Sequence, residues 1–465
     1  MKDHYDIAII GTGPAGMAAA TVASAHGADV LIVDEQPEVG GQIYRGITHQ
    51  SIKDKTILGD DYYKGQSLAD AFAASNADHV SGATVWQVSP EREIGISKDG
   101  AAHLLTADQV IIATGAQERP FPIPGWTLPG VMTAGSAQIL LKSSGITFSN
   151  AVFAGTGPLL YLIAYQYLKA GVPIRAILDT TPKSNRLKAL PHLPGALYHL
   201  SSIMKGRKWI KALKSSGTLF IEGIDNLKIT GKDSTEAIEY LLQNKWHRIE
   251  ASNVFLHQGV VPNVNLAMAS GCIHHWNEQK LCWHASTDEW GSSNVPGISI
   301  AGDGGGIGGA IAAEYQGRIT AYQALYTTNK VKKQERDINV LPTQHALTHE
   351  MRIRPFLDAM FRPATQFRIP TDDATIVCRC EEVTAGKIRE SISLGCAGPN
   401  QLKGFTRCGM GPCQGRFCSL SVSELIAKAQ NVSVNELEQL RLRPPVKPLM
   451  LAELANLTIL ASEDT

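Results

Sequence analysis

The stretch that decides the fold is Gly11-Thr12-Gly13-Pro14-Ala15-Gly16. An apolar run, Tyr5 to Ile10, precedes it, and an alanine-rich stretch, Met17 to Ala25, follows. Ala28 to Val33 is then a second apolar run. Strand, tight turn, helix and strand make a βαβ unit. In a G-x-G-x-x-G turn each glycine has its own task. Gly11 permits the turn, Gly13 lets a pyrophosphate reach the backbone, and Gly16 lets the helix lie close to the sheet. The helix start offers unpaired N–H groups and a positive dipole end to an anion. An acid at the end of the second strand completes the pattern by taking a ribose. Asp34, eighteen residues after Gly16, meets that requirement, and Glu35 competes for it. The plainer alternative is a glycine-rich turn with no ligand.

A second unit begins at Asn150. The run Ala151-Val-Phe-Ala154 leads into Gly155-Thr-Gly157-Pro-Leu-Leu160, a helical stretch to about Ala170, and a strand from Pro173 to Leu178. Leu160 replaces the third glycine, which loosens the approach of helix to sheet. Asp179 ends the following strand and could take a ribose hydroxyl. No arginine stands beside it for a 2′-phosphate, so NAD or ATP fits this site better than NADP. A turn that keeps the fold but binds nothing is equally compatible with these residues. Two further apolar strands end in glycine: Gln109 to Ala113-Thr114-Gly115, and Gly297 to Ala301-Gly302-Asp303.

At 465 residues the chain is too long for one core. Apolar content of 44% and charged content of 18% are ordinary for a globular protein. Zero formal net charge gives no general attraction to nucleic acid. No apolar run is long enough to span a bilayer. Without a signal-peptide pattern at Met1, a cytoplasmic location is expected.

Of 8 cysteines, Cys378, Cys380, Cys396, Cys408, Cys413 and Cys418 crowd one C-terminal stretch. In a cytosolic chain such clustering favours metal over disulfides. Cys378-Arg-Cys380 and Cys408-Gly-Met-Gly-Pro-Cys413-Gln-Gly-Arg-Phe-Cys418 can supply the four thiolates of a 2Fe-2S cluster. Zinc is the competing metal, although its sites more often use pairs spaced by two to four residues. Buried free thiols are a third reading. No Cys-x-x-Cys pair lies near residues 40–60 or 130–150, which disfavours thiol–disulfide chemistry. No convincing His/Asp or Ser/His constellation is visible.

The residues Gly11 to Gly16, Gly40-Gly41-Gln42, Ala113-Thr114-Gly115 and Ala301-Gly302-Asp303 resemble those of glutathione-reductase-type flavoprotein oxidoreductases. The resemblance implies FAD on the first turn, and Asp303 on the flavin ribitol or a bridging water. A loop or helix cap is the alternative role for Asp303. Val377 to Val383 with Gly409 to Cys418 resembles the bacterioferritin-associated-ferredoxin-like 2Fe-2S domain. That likeness implies Cys378, Cys380, Cys413 and Cys418 as ligands and makes Cys408 a neighbour, though Cys408 stays a candidate on spacing.

As a whole the chain is similar to the α (A) subunits of heteromeric bacterial dehydrogenases, among them opine oxidases, D-hydroxyproline dehydrogenase and hydrogen cyanide synthase. The expected architecture is α/β: two Rossmann-like dinucleotide-binding domains of glutathione-reductase type plus a small, mainly helical C-terminal 2Fe-2S domain. The expected boundaries are 1–118 with 285–330 for the FAD domain and 119–284 for the second domain. A linker follows at 331–372, then the cysteine module at 373–430 and a tail at 431–465. The likeness implies a β subunit similar to D-amino-acid and glycine oxidases, and FMN at the subunit interface. It also implies an external acceptor, a quinone or dye, which would bring the complex to the periphery of the inner membrane. A self-contained NAD(P)H-dependent FAD/2Fe-2S reductase is the main rival, and a binding protein without turnover is a second.

Overall fold

Ile7 to Ile10 and Val30 to Val33 are apolar without alternation, the pattern of strands buried on both faces. They pair in parallel register, Ile7 opposite Val30 and Ile10 opposite Val33, in the computed structural model, which describes residues 1–49 and 51–457. These strands, β1 (His4–Ile10) and β2 (Val30–Asp34), are central in the first sheet. Its order is β3 (Asp78–Ser81), β2, β1, β6 (Ala101–Ile112), β5 (Glu93–Lys98) and β4 (Thr84–Val88). The late strand β19 (Ile298–Ile300) adds in parallel to the end of β6, Ile300 opposite Ile112. Helix α1 (Pro14–Ala25) lies on this sheet, with α4 (Ala310–Thr327) against it.

The second sheet is wholly parallel, in the order β11 (Leu219–Glu222), β10 (Ile174–Asp179), β9 (Ala151–Thr156), β15 (Val254–Gln258), β8 (Val131–Thr133). Helix α2 (Pro158–Lys169) follows β9, and α3 (Leu200–Ser215) packs outside α2. The antiparallel strands β12 (Asn226–Thr230), β13 (Ala237–Leu242) and β14 (Lys245–Glu250) close the other face through Ile229, Ile238 and Ile249. A two-stranded ribbon, β7 (Ala116–Glu118) with β16 (Val260–Pro262), carries the chain out of the first domain and back.

Two expected boundaries need correction. Residues 265–285 do not pack with the second sheet. Leu266, Ala267, Cys272 and Ala285 join the apolar cluster of Val85, Val110 and Ile298 in the first domain. Trp276, Cys282 and Trp283, on the hairpin β17 (His274–Asn277) and β18 (Cys282–Ala285), pack with the cysteine module. Residues 331–372 are helical over much of their length, not an irregular linker. Helix α5 (Lys333–Met351) runs through Pro342 and lies against α4. Arg336 pins it, with its guanidinium over Trp290 at 3.9 Å and over Tyr326 at 4.5 Å, and a hydrogen bond to Gln323 at 2.7 Å.

The cysteine module is the small hairpin β20 (Ile376–Cys378) and β21 (Val383–Thr384) with helices Ala385–Ser393, Pro399–Thr406 and α6 (Ser419–Gln430). The described part of the tail returns to the first domain. Val446 is buried and donates its N–H to the Trp86 carbonyl, and Lys447 pairs with Glu35 at 2.7 Å.

Candidate functional site

The first glycine turn is tight wherever the chain meets itself. A Cβ on Gly11 would stand 2.5 Å from the Ala113 oxygen, and one on Gly16 would stand 1.8 Å from the Gly11 oxygen. Gly13 differs, since a Cβ there would meet nothing nearer than Gly41 Cα at 3.9 Å. The open space lies at the start of α1, where Pro14 occupies the first turn and no side chain caps the helix. Open backbone, free amides and a positive helix end suit a pyrophosphate. Gly40 and Gly41 close over the turn, Gly40 N–H donating to Thr12 O at 2.9 Å. Lys142 steadies the next residues: its buried ammonium donates to the Ile43 carbonyl at 2.8 Å and the Gln42 carbonyl at 3.4 Å. Burial, with Arg45 nearby, pushes that ammonium down to about 7. Nothing around position 142 in the sequence signals this role.

Asp34 holds the turn. One carboxylate oxygen accepts from Thr12 N at 2.6 Å and Thr12 Oγ1 at 2.7 Å, and the other accepts from Gln36 N at 2.8 Å. The oxygen that faces Gln36 keeps a lone pair for a ribose. Glu35 is about half exposed and already paired with Lys447. On the far side, Gly302 abuts Ala15 and Gly304 lies beside Gly115. One Asp303 oxygen accepts from Gly308 N at 2.7 Å and Gly309 N at 2.9 Å, so Asp303 does cap its own loop. No hydrogen bond within the protein engages its other oxygen among the described residues. Gly11, Gly13, Pro14, Ala15, Gly16, Gly41, Ala113, Thr114, Gly115 and Gly302 thus gather around the start of α1, with Gln42 and Asp303 next to them in sequence.

The second turn is more closed. A Cβ on Gly155 would strike the His257 carbonyl oxygen at 1.6 Å, and one on Gly157 would lie 3.2 Å from His257 Nε2. Leu160 is fully buried. Asp179 is buried too, accepting from Tyr161 Oη and Thr181 N at 2.8 Å each, and burial pushes its carboxyl above the usual range. Beneath Gly157 sits a pair the sequence did not reveal. His257 Nδ1 and Glu118 Oε1 are 2.6 Å apart, and Glu118 Oε2 accepts from Gly135 N at 2.9 Å. The partners are 139 residues apart, so no local pattern announces them.

The cysteines converge. The sulfurs of Cys378, Cys408 and Cys418 lie within 4.8 Å of one another, all buried. Cys380 stands beside Cys413, whose thiol is raised first by burial and further by Cys380. Hydrogen bonds from Cys408 and Cys418, with the N–H groups of Gly409 and Glu381, push the Cys378 thiol down to about 2. The Cys408 thiol is raised, chiefly by donating to Cys378. Cys408, expected as a neighbour, therefore belongs to the buried trio with Cys378 and Cys418. Cys396 lies apart, donating to Gly398 O.

The module is docked on the first site. Asn263 N donates to Gly115 O at 2.9 Å, and Thr114 Oγ1 to Asn263 O at 3.2 Å. Two residues on, Asn265 Nδ2 donates to Gln414 O at 3.0 Å, and Gln117 Nε2 reaches Arg416 O at 2.7 Å. The loop Cys413–Cys418 is thus hydrogen-bonded to the strand ends that carry Gly115.

Residues 5–317 match the family model described as "Pyridine nucleotide-disulphide oxidoreductase", and residues 373–457 match "Sarcosine oxidase A3 domain". The second match takes in the tail as well as the cysteines. The opine oxidase A-subunit of Agrobacterium tumefaciens (strain Ach5) is 44% identical, over 98% of this chain and 92% of that protein. The chain belongs to the opine oxidase A-subunit family. Its membership, with the oxidoreductase model spanning both glycine turns, supports FAD as a cofactor of the chain. Hydrogen cyanide synthase subunit HcnB of Pseudomonas protegens is 29% identical, over 95% of each chain. The fold matches L-proline dehydrogenase from P. horikoshii with a TM-score of 0.72 at 18% identity, over 97% of this chain and 79% of that one. Among the described residues no helix is long and apolar enough to cross a membrane.

Proposed function

We propose that this relative of the opine oxidase A-subunits is the electron-relaying flavoprotein subunit of a heteromeric dehydrogenase that oxidises an amine or imino acid. The docking of the Cys413–Cys418 loop onto the Gly115 edge of the FAD cleft carries the reading. Gly13 and the free amides of α1 would hold the pyrophosphate, Asp34 or Glu35 the adenosine ribose, and Asp303 the ribitol. Cys378 with Cys418, and Cys380 with Cys413, would hold a 2Fe-2S cluster, with Cys408 donating a hydrogen bond to Cys378. Bound there, FAD exchanges electrons in twos or ones and the cluster singly, which suits relay to a quinone or dye. The C–N bond would be broken in a β subunit similar to D-amino-acid and glycine oxidases, with FMN at the shared interface. That division fits the makeup of the first cleft, where glycines and backbone amides predominate.

The closed second turn disfavours the rival NAD(P)H reductase, because Asp179 is buried and His257 stands against Gly157. The same features limit NAD or ATP there to a structural role. The decisive experiment co-expresses the chain with an oxidase-like partner and screens amines, opines and imino acids for dye reduction. The complex is expected to carry flavin and about two irons per chain, and to reduce dye only with both proteins present. Rapid flavin bleaching by NADH in the isolated chain, or no complex, overturns the proposal.

A further inference from the structure

Between Asp179 and Glu222 the sequence has eight lysines and arginines and no acidic residue, in a molecule of zero formal net charge. This stretch folds as short helices ending in α3, on the outside of the second domain. Within residues 183–215 only Asn185, Ala189, Ala196 and Leu213 are buried. Large apolar side chains stand out from it: Leu187, Leu190, Leu197, Tyr198, Leu200 and Met204 are each more than half exposed. Isolated exposed leucines are ordinary, but a concentration of this kind marks a contact surface.

On α3 the spacing sorts the two faces. Trp209 and Leu213 turn inward, Trp209 lying 6.4 Å from the Tyr165 ring of α2. Leu200, Met204, Lys208 and Lys211 share the outer face, where Met204, Arg207, Lys208 and Lys211 line a shallow groove. Arg186 and Lys214 lean on Glu222, and Lys205 on Asp61. Lys183, Lys188, Arg207, Lys208 and Lys211 have no acidic partner among the described residues. The cations are interleaved with the leucines along the chain. A protein interface instead tends to deplete charge at its centre. Basic residues beside exposed leucines on surface helices fit the boundary between lipid headgroups and acyl chains.

We propose that residues 183–215 are a docking surface for an anionic lipid bilayer, with the leucines and Tyr198 entering the headgroup boundary and the lysines and arginines meeting lipid phosphates. The surface stands on its own observations and does not depend on the flavin or cluster assignments. It would hold the protein at the phase in which an apolar quinone dissolves.

The test uses the purified full chain, sedimented with vesicles of phosphatidylcholine alone or of phosphatidylcholine with phosphatidylglycerol. The chain is expected to sediment with the anionic vesicles only and to be released in part by high salt, which screens the cations. Two double variants, Leu187→Glu with Leu197→Glu and Lys208→Glu with Lys211→Glu, are expected to bind at least about tenfold more weakly, with unchanged melting temperature and flavin content. A wild-type chain that stays in the supernatant, or variants that bind like wild type, overturn the proposal. So do variants that keep vesicle binding and lose assembly with an oxidase-like partner, which would give the surface to a protein.

Discussion

Gly13 and Gly16 are three residues apart and answer to different constraints. A methyl group at 16 collides with the Gly11 carbonyl, while one at 13 enters open space at an ordinary φ of −72°. Gly16→Ala is expected to cost about 3 kcal/mol of stability, read by denaturant unfolding. Gly13→Ala should change stability by less than about 1 kcal/mol and still empty the site of flavin, read by absorbance of the purified protein. Asp179 offers a pH test. Its carboxyl is raised by burial, so its contribution to stability is complete in acid and is withdrawn as pH rises through the raised value. Asp179→Asn should therefore raise the melting temperature by roughly 2 °C at pH 8 and leave it unchanged at pH 3. Among the cysteines, Cys378→Ser should lose the iron, and Cys408→Ser should keep it with an altered cluster spectrum; loss of iron from Cys408→Ser would make Cys408 a ligand. The glycine turn is legible because its three glycines keep a fixed local spacing between a strand and a helix, whatever lies across from them. His257 with Glu118, and the buried Lys142, were not, because each acquires its meaning from a partner about a hundred residues off.

At the scale of elements, parallel strands were readable as unbroken apolar runs, whereas α5 was not. Its exposed face carries Ile338 and Leu341, its interior carries Pro342, and only Arg336 and Val340 are buried. That pattern has no apolar stripe to read. The helix is held by one arginine between two rings. Arg336→Ala should therefore destabilise the protein by about 2 kcal/mol in thermal or denaturant unfolding. Arg336→Lys should recover little, since an ammonium lacks the planar face that stacks. Residues 265–285 escaped assignment for a related reason. Their short strands carry tryptophans whose partners, across the cysteine module, lie about a hundred residues further on.

At the scale of the molecule, the tail joins what the linear order separates. Leu440 packs on Gly415 beside the cysteines, Val446 enters the core of the first domain, and Lys447 meets Glu35 at the end of β2. Removing residues 444–465 should expose that core and accelerate proteolysis near residues 84–88, followed by limited digestion and mass spectrometry. The architecture also has a consequence for biosynthesis. The sheet that begins with residue 4 receives its last strand at 298–300 and its last core side chain at 446. The second parallel sheet, residues 131–258, has all its strands well before either. On the ribosome the second sheet can consolidate while the strands of residues 4–112 wait. The Gly11 turn meets Gly302 and Asp303 only after the strand at 298–300 has been made, so loading of flavin is expected to follow synthesis of that strand.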